Sequence, residues 1–261
     1  AFPTVTEVCR TSLLSGKLVS GTQVAEKSAF PVHRGLIEAY KGQPPALFHK
    51  GDLTGTGGSG TASPVLDQIT TLECRVVGVV INAVADFLSS GDQVRVSWTA
   101  ANIRHLENLL TTAQQAGRAL VITSDHGHVA EGGSSMTVRA EADRWRPAGA
   151  ETGTAEVRLE GRRVLKGPLA ALWSEKARFA GKKHGYHGGA SPQEAVVPLG
   201  IFLPDTSLPD GWTELPSEVP DWWDVAAVDG HVPSASGTPV KPSRPGRSKP
   251  GHKQQTFLPL P

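Results

Sequence analysis

Ala119-Leu120-Val121-Ile122-Thr123-Ser124-Asp125-His126-Gly127-His128 is the stretch whose reading decides the fold. An apolar run of strand character ends in a carboxylate, a glycine turn and two imidazoles. Open α/β sheets build their sites at such carboxyl ends of strands. Asp125 and His126 are adjacent and held by a tight turn at Gly127, so both can face one cation without helical spacing to align them. The same tripeptide also suits an ordinary solvated turn. The rest of the chain must decide.

Outward from this point, residues 118–123 read as the strand, and residues 100–115 before them carry apolar residues at helical spacing up to Gly117. Residues 75–82 are an earlier Val-rich apolar run that closes at Ile81-Asn82. Two buried strands separated by a helix imply a parallel pair with a right-handed crossover, which places Asn82 and Asp125 on one sheet edge. The expected class is therefore α/β with a central, mostly parallel sheet. Upstream, residues 6–14 read as a short helix ending at Gly16, and residues 23–40 as a helical region broken by Pro31. A Gly/Thr/Ser loop covers residues 51–60, and residues 64–72 are again helical. Downstream, residues 156–165 alternate like a strand around Glu160-Gly161. Residues 195–203 read as a further buried strand with Pro198 near an edge. Between them, Lys182-Lys183-His184-Gly185-Tyr186-His187-Gly188-Gly189 fits either an anion-facing loop or a solvated charged turn.

With 261 residues, 38% of them hydrophobic, and a net charge of +1, the chain has apolar material for one sizeable core with a modest appendage. No apolar run approaches the roughly 20 residues needed to span a bilayer, and the N-terminus lacks signal-peptide character. A cytoplasmic protein without membrane attachment is expected. Cys9 and Cys74 form no metal or disulfide spacing and read as reduced, buried small hydrophobes. Balanced charge argues neither for nor against a nucleic-acid partner. From residue 229 onward Pro, Ser, Gly, Lys and Arg dominate until Phe257, a composition that cannot offset its ordering entropy. The expected division is a folded domain over residues 1–227 and a disordered linker over residues 228–261.

Pro3-Thr4-Val5-Thr6, followed by a short helix and Gly16, resembles the nucleophile segment of the phosphodiesterase branch of the alkaline phosphatase superfamily. Leu47-Phe48-His49-Lys50, Val79-Val80-Ile81-Asn82-Ala83-Val84, Asp125-His126-Gly127-His128 and His187-Gly188-Gly189-Ala190-Ser191-Pro192-Gln193-Glu194 follow in order. Together the five segments resemble the PglZ family, the alkaline-phosphatase-like component of BREX phage-defence systems, in the form most similar to type 2, over residues 1–204. The resemblance implies a three-layer alkaline-phosphatase-like fold and hydrolysis of phosphate mono- or diesters, with DNA or nucleotide esters among the candidate substrates. Other BREX proteins are the implied partners. It makes Thr6 the nucleophile, a role that suits a hydroxyl at a helix N-terminus beside a cation that can strip its proton. Asp125 and His126 are implied to bind one metal with Thr6, and His187 to help bind a second; zinc or manganese fits this mixed ligation. Arg10, one turn beyond Thr6, would pair with a phosphate oxygen or with Glu7. His128 and Glu194 would orient His126 or His187. Beside these readings, Thr6 also fits an ordinary helix cap, while His33 and His49 read as structural histidines.

The sequence departs from the superfamily pattern in two places. The metal-binding Asp expected at the end of a strand before the nucleophile has no counterpart, since two residues precede Pro3. The fold is thus expected to be incomplete at its N-terminus, as in a fragment of a longer protein. A second ligand Asp would fall on Ala85, which leaves Asp86, or Asp92, to substitute. At least one ion is therefore expected to bind weakly. The alternative is a catalytically degenerate domain that serves as an interaction module of the BREX complex. Sulfatase chemistry requires Cys or Ser where Thr6 stands, and the phosphoglycerate mutase branch requires Ser and more ligands.

Overall fold

The computed structural model describes residues 1–38, 43–54, 60–89, 99–138, 140–149, 151–205 and 207–213. The helix Thr6–Ser15 starts after an extended Val5 and ends at Gly16, whose φ of 66° is the left-handed conformation glycine adopts without penalty. Val8, Cys9 and Thr11 form its buried side. Pro31 divides the next helical region as the spacing requires, into Gln23–Ala29, a 3-10 turn Phe30–Val32 and Arg34–Glu38. Strand Ala46–Phe48 then pairs in parallel with Val77–Val79, Ala46 opposite Val77. A helical turn, Lys50–Leu53, occupies the start of the expected Gly/Thr/Ser loop; residues 55–59 of that loop lie outside the described residues.

Helix Ser63–Thr70 and helix Leu106–Gln115 cover this parallel pair. Leu53, Val65, Ile69, Leu109 and Ala113 form a buried cluster packed against Val77, Val79 and Ile81. Each such large apolar side chain contributes about 1.5–3 kcal/mol by leaving water. Arg118 closes the assembly: its Nη2 donates to the carbonyls of Gln68, Thr71 and Cys74, taking up backbone acceptors at and beyond the end of helix Ser63–Thr70. The helix expected over residues 100–115 is interrupted by His105, at φ 71°, into a 3-10 turn Ala100–Asn102 and the helix proper.

Helices and strands are mixed, as an α/β chain requires, but the strand pairing differs from expectation. Among the described residues the strands form five small sheets. Leu120–Thr123 pairs antiparallel with Leu199–Phe202, Thr123 opposite Leu199, and the expected partner Val77–Val79 pairs with Ala46–Phe48 instead. Two short apolar runs look alike to any partner strand, so periodicity alone leaves the pairing open. The ribbon is also not buried. Val121 is 60% exposed and Leu199 66% exposed, because apolar character sets a preference for burial and does not supply the covering layer. Further along, Leu169–Leu172 is fully buried between Trp145–Pro147 and Glu156–Leu159, both antiparallel to it. The alternation expected over residues 156–165 ends at Leu159, and Val164 beyond the turn bridges to Phe2.

Two short pairings complete the frame: Val129–Ala130 with Gly185–Tyr186, antiparallel, and Ser135–Met136 with Ala177–Arg178, parallel. Glu131 pins this region, accepting hydrogen bonds from the backbone of Gly133 and Ser134, from Ser134 Oγ and from Tyr186 Oη. Burial opposes its charge, but these donors outweigh the burial and hold its carboxyl at about 2, below the ordinary 4.5. A depressed carboxyl stabilises the fold above 4.5 and loses that contribution as pH falls towards about 2. Glu131→Gln is expected to cost about 1–3 kcal/mol at neutral pH. Denaturant curves of the two proteins should converge as the solution is acidified through this range.

Contacts divide the chain into Ala1–Trp212 and Thr213–Pro261. The expected boundary at residues 227 and 228, and the expected linker, lie outside the described residues. Among the described residues no helix is long and apolar enough to cross a membrane.

Candidate active site

The antiparallel ribbon explains how two distant motifs meet. Leu120–Thr123 ends where Leu199–Phe202 begins, so the turn after the first strand and the segment before the second emerge together. Thr123 Oγ1 donates to the Pro198 carbonyl at 2.9 Å, and the Gly127 amide donates to the Glu194 carbonyl at 2.9 Å. Gly127 is needed for close approach. A Cβ there would lie 1.9 Å from the Gln193 carbonyl oxygen, a backbone atom that cannot swing away. Gly127→Ala is expected to separate the two loops and to lower the melting temperature; thermal unfolding checks this.

The histidine cluster follows from this junction. His126 is 3% exposed, and its ring stacks on His187 with centroids 4.6 Å apart. His128 lies 5.1 Å from His126 and 5.0 Å from His187. His128 is thus in ring contact with both, beyond the orienting role expected of it. Burial, followed by the charges of its two neighbours, pushes the His128 imidazole down to about 4. Burial and His126 also lower His187, against the opposing hydrogen bond it donates to the Thr4 carbonyl. Both rings are therefore neutral at neutral pH, the form that carries a ligand lone pair.

Carbonyl partners fix which nitrogens carry that lone pair. His126 Nδ1 faces the Gly127 carbonyl at 3.0 Å, and His187 Nδ1 faces the Thr4 carbonyl at 3.2 Å. A carbonyl only accepts, so each Nδ1 carries a proton, and in the neutral ring the lone pair sits on Nε2. Thr6 is the first residue of its helix, after Val5, and its Oγ1 lies 3.2 Å from His126 Nε2. Its hydroxyl faces the imidazole, unlike that of a simple helix cap.

Asp125 Oδ2 is 3.5 Å from the same Nε2, buried and without a hydrogen-bond partner. A carboxylate oxygen and an imidazole lone pair facing each other in a buried site repel unless a proton or a cation lies between them. Among the described residues no three His, Cys, Asp or Glu side chains form a ready-made metal cage. The orphaned Asp125 oxygen, the directed His126 lone pair and the Thr6 hydroxyl nevertheless fit one divalent cation by donor chemistry.

The remaining site residues divide. Arg10 turns to Glu26, with Nε 3.0 and 3.1 Å from the two carboxylate oxygens, and to Asn82 Oδ1 at 3.3 Å; Glu7 pairs with Lys166 instead. Thus Asn82 reaches the site through Arg10 while Asp125 reaches it beside Thr6, both against the same helix. Asp86, in the first turn of helix Ala83–Ser89, is ion-paired with Lys50 at 2.7 Å. Asp92 lies outside the described residues. His49 is 3% exposed and bonded to Glu26, and His33 fills the space above Gly16.

The comparison with families agrees with the five segments. A model of the BREX system PglZ alkaline phosphatase-like domain matches residues 1–202. The chain belongs to the PglZ family. A comparison with curated proteins gives no match. In this PglZ domain, sequence reasoning missed Arg144. Fully buried, it donates from Nε to Glu194 Oε1 at 2.9 Å and from Nη1 to the carbonyls of Ala177 and Ser174 at 2.6 and 3.1 Å. Among the described residues Glu194 bonds no histidine side chain; it accepts from the Gly189 amide at 2.7 Å and from Ser191 Oγ at 2.7 Å, holding the turn that follows His187. No local pattern around Arg144 signals this, because its carboxylate partner lies 50 residues away.

Proposed function

We propose that this PglZ domain is a metal-dependent phosphohydrolase of BREX phage defence, cleaving phosphate mono- or diesters with Thr6 as nucleophile. One observation carries the reading: the Thr6 hydroxyl and the orphaned Asp125 oxygen both face His126 Nε2, at 3.2 and 3.5 Å. Asp125, His126 and Thr6 would hold one ion, zinc or manganese. His187, joined by His128, and Asp86 once released from Lys50 are the candidates for a weaker second. A cation there supplies charge neutralisation of the ester and activation of the hydroxyl. Thr6 Oγ1, giving up its hydroxyl proton, would attack phosphorus from the first helical position, where backbone dipoles favour the developing negative charge. The bond from phosphorus to the ester alcohol breaks, the alcohol leaves with a proton, and water then hydrolyses the phosphothreonine to phosphate and the free Thr6 hydroxyl. Gly127 and Thr4 keep the Nδ1 protons of His126 and His187 in place, so that the opposite nitrogens stay available. Arg10 and Asn82 face the anionic ester. DNA or nucleotide esters are the substrates proposed and other BREX proteins the partners, in the cytoplasm, on a three-layer alkaline-phosphatase-like fold.

Bis(p-nitrophenyl) phosphate and p-nitrophenyl phosphate, with zinc or manganese, test the reading. Turnover is expected to vanish with a chelator and in Thr6→Ala; chelator-resistant turnover would contradict it. A second reading, an interaction module of the BREX complex, is favoured by the exposed apolar ribbon of Val121, Ile122, Leu199, Ile201 and Phe202. Partner binding that survives both treatments, without turnover, would favour the module.

A further inference from the structure

Behind Arg10 lies a buried polar cluster that the proposed chemistry does not use. Glu26, fully buried on helix Gln23–Ala29, receives Arg10 Nε on both oxygens, Thr11 Oγ1 at 3.0 Å and His49 Nε2 at 2.7 Å. Burial alone would raise the Glu26 carboxyl, but the hydrogen bonds from His49 and Arg10 prevail and hold it below its usual range. A carboxylate only accepts, so His49 donates from Nε2, and its Nδ1 is left buried without a partner. For packing alone this is a poor arrangement, since buried charges rarely outperform apolar residues of similar volume and an orphaned nitrogen costs more.

The cluster makes sense as an orienting device. A guanidinium presents five N–H groups in a rigid fork. Glu26 takes the Nε edge and Asn82 Oδ1 takes one Nη1 position, while the Arg10 side chain keeps 16% of its surface exposed. Thr6 and Arg10 are four residues apart on one helix and so share a face. Asn82 accepts from Arg10 through its oxygen, which leaves its amide N–H₂ as a second donor.

We propose that Glu26 and His49 are positioning residues that fix the Arg10 guanidinium, with Asn82 as its second anchor, to receive a phosphoryl oxygen beside Thr6. This rests on the reading of Thr6 as the attacking group. Inorganic phosphate titrated into the whole chain, with and without zinc, tests it. Phosphate should bind the unaltered chain, and Glu26→Gln should weaken it by about tenfold or more, with unchanged zinc stoichiometry. Equal phosphate affinity in folded Glu26→Gln overturns the inference, as does an unaltered chain that takes no phosphate under either condition. Should Glu26→Gln fail to fold, nitrogen-15 NMR of the unaltered chain decides. The Arg10 Nε proton should exchange slowly and stay in place while the Nη signals move with phosphate; solvent-rate exchange at Nε overturns the proposal. Ester hydrolysis with phosphate affinity indifferent to Glu26 removes this inference alone. Phosphate uptake through Arg10 without any hydrolysis removes the enzymatic reading alone.

Discussion

Arg144→Met is expected to lower the free energy of unfolding by about 3–5 kcal/mol, the range for breaking one side of a buried ion pair. The methionine fills much of the space, so the loss is electrostatic. Glu194 would keep its donors from Gly189 and Ser191 but lose the guanidinium that neutralises it, and the Ala177 and Ser174 carbonyls would lose theirs. Domains are stable by only about 5–15 kcal/mol, so this loss leaves a marginal protein. Arg144→Met combined with Glu194→Gln should be less damaged than Arg144→Met alone, because no uncompensated charge remains. Urea unfolding of the three chains measures both effects; a single variant within about 1 kcal/mol of the unaltered chain would remove Arg144 from its central place. The consequence extends to the site, since Glu194 anchors the Gly189 amide two residues beyond His187.

Thr6→Ala should reduce ester turnover by at least about 10³-fold, as removal of an attacking group does in enzymes that form covalent intermediates. The fold should hardly respond. Val5, not Thr6, caps the helix, and the Thr6 hydroxyl's partner is His126. Loss of activity with intact stability separates a nucleophile from a structural threonine. Thr4 is the internal contrast: only 3% exposed, it donates from Oγ1 to the Gly189 carbonyl at 2.7 Å. Thr4→Ala should lower stability through that lost bond.

The residues that meet at His126 are legible in the sequence because their information is local. Asp125, His126 and Gly127 are consecutive, and Thr6 opens a helix whose start and glycine stop lie within one short segment. The elements around them were legible for the same reason, down to the break at Pro31. What was not legible depends on contacts between distant segments. Gly127 reads as a turn residue, yet what requires it is the Gln193 carbonyl, brought close only by strand pairing. Arg10 offered Glu7 or a phosphate as partners, and the fold supplied Glu26 and Asn82. The partner of the strand before Asp125 is not legible, because two short Val- and Ile-rich runs give the same hydrophobic pattern in either pairing. Burial of that strand is not legible either, for a run of apolar residues does not specify what lies across from it.

Calorimetric titration of the chelator-stripped chain with zinc and with manganese, using Asp125→Ala as control, tests the central claim most directly. The orphaned Asp125 oxygen facing His126 Nε2 predicts at least one specific site that Asp125→Ala abolishes or strongly weakens. Absence of any site, or uptake indifferent to Asp125, would contradict metal-dependent catalysis at this cluster and leave the interaction module as the reading of the domain.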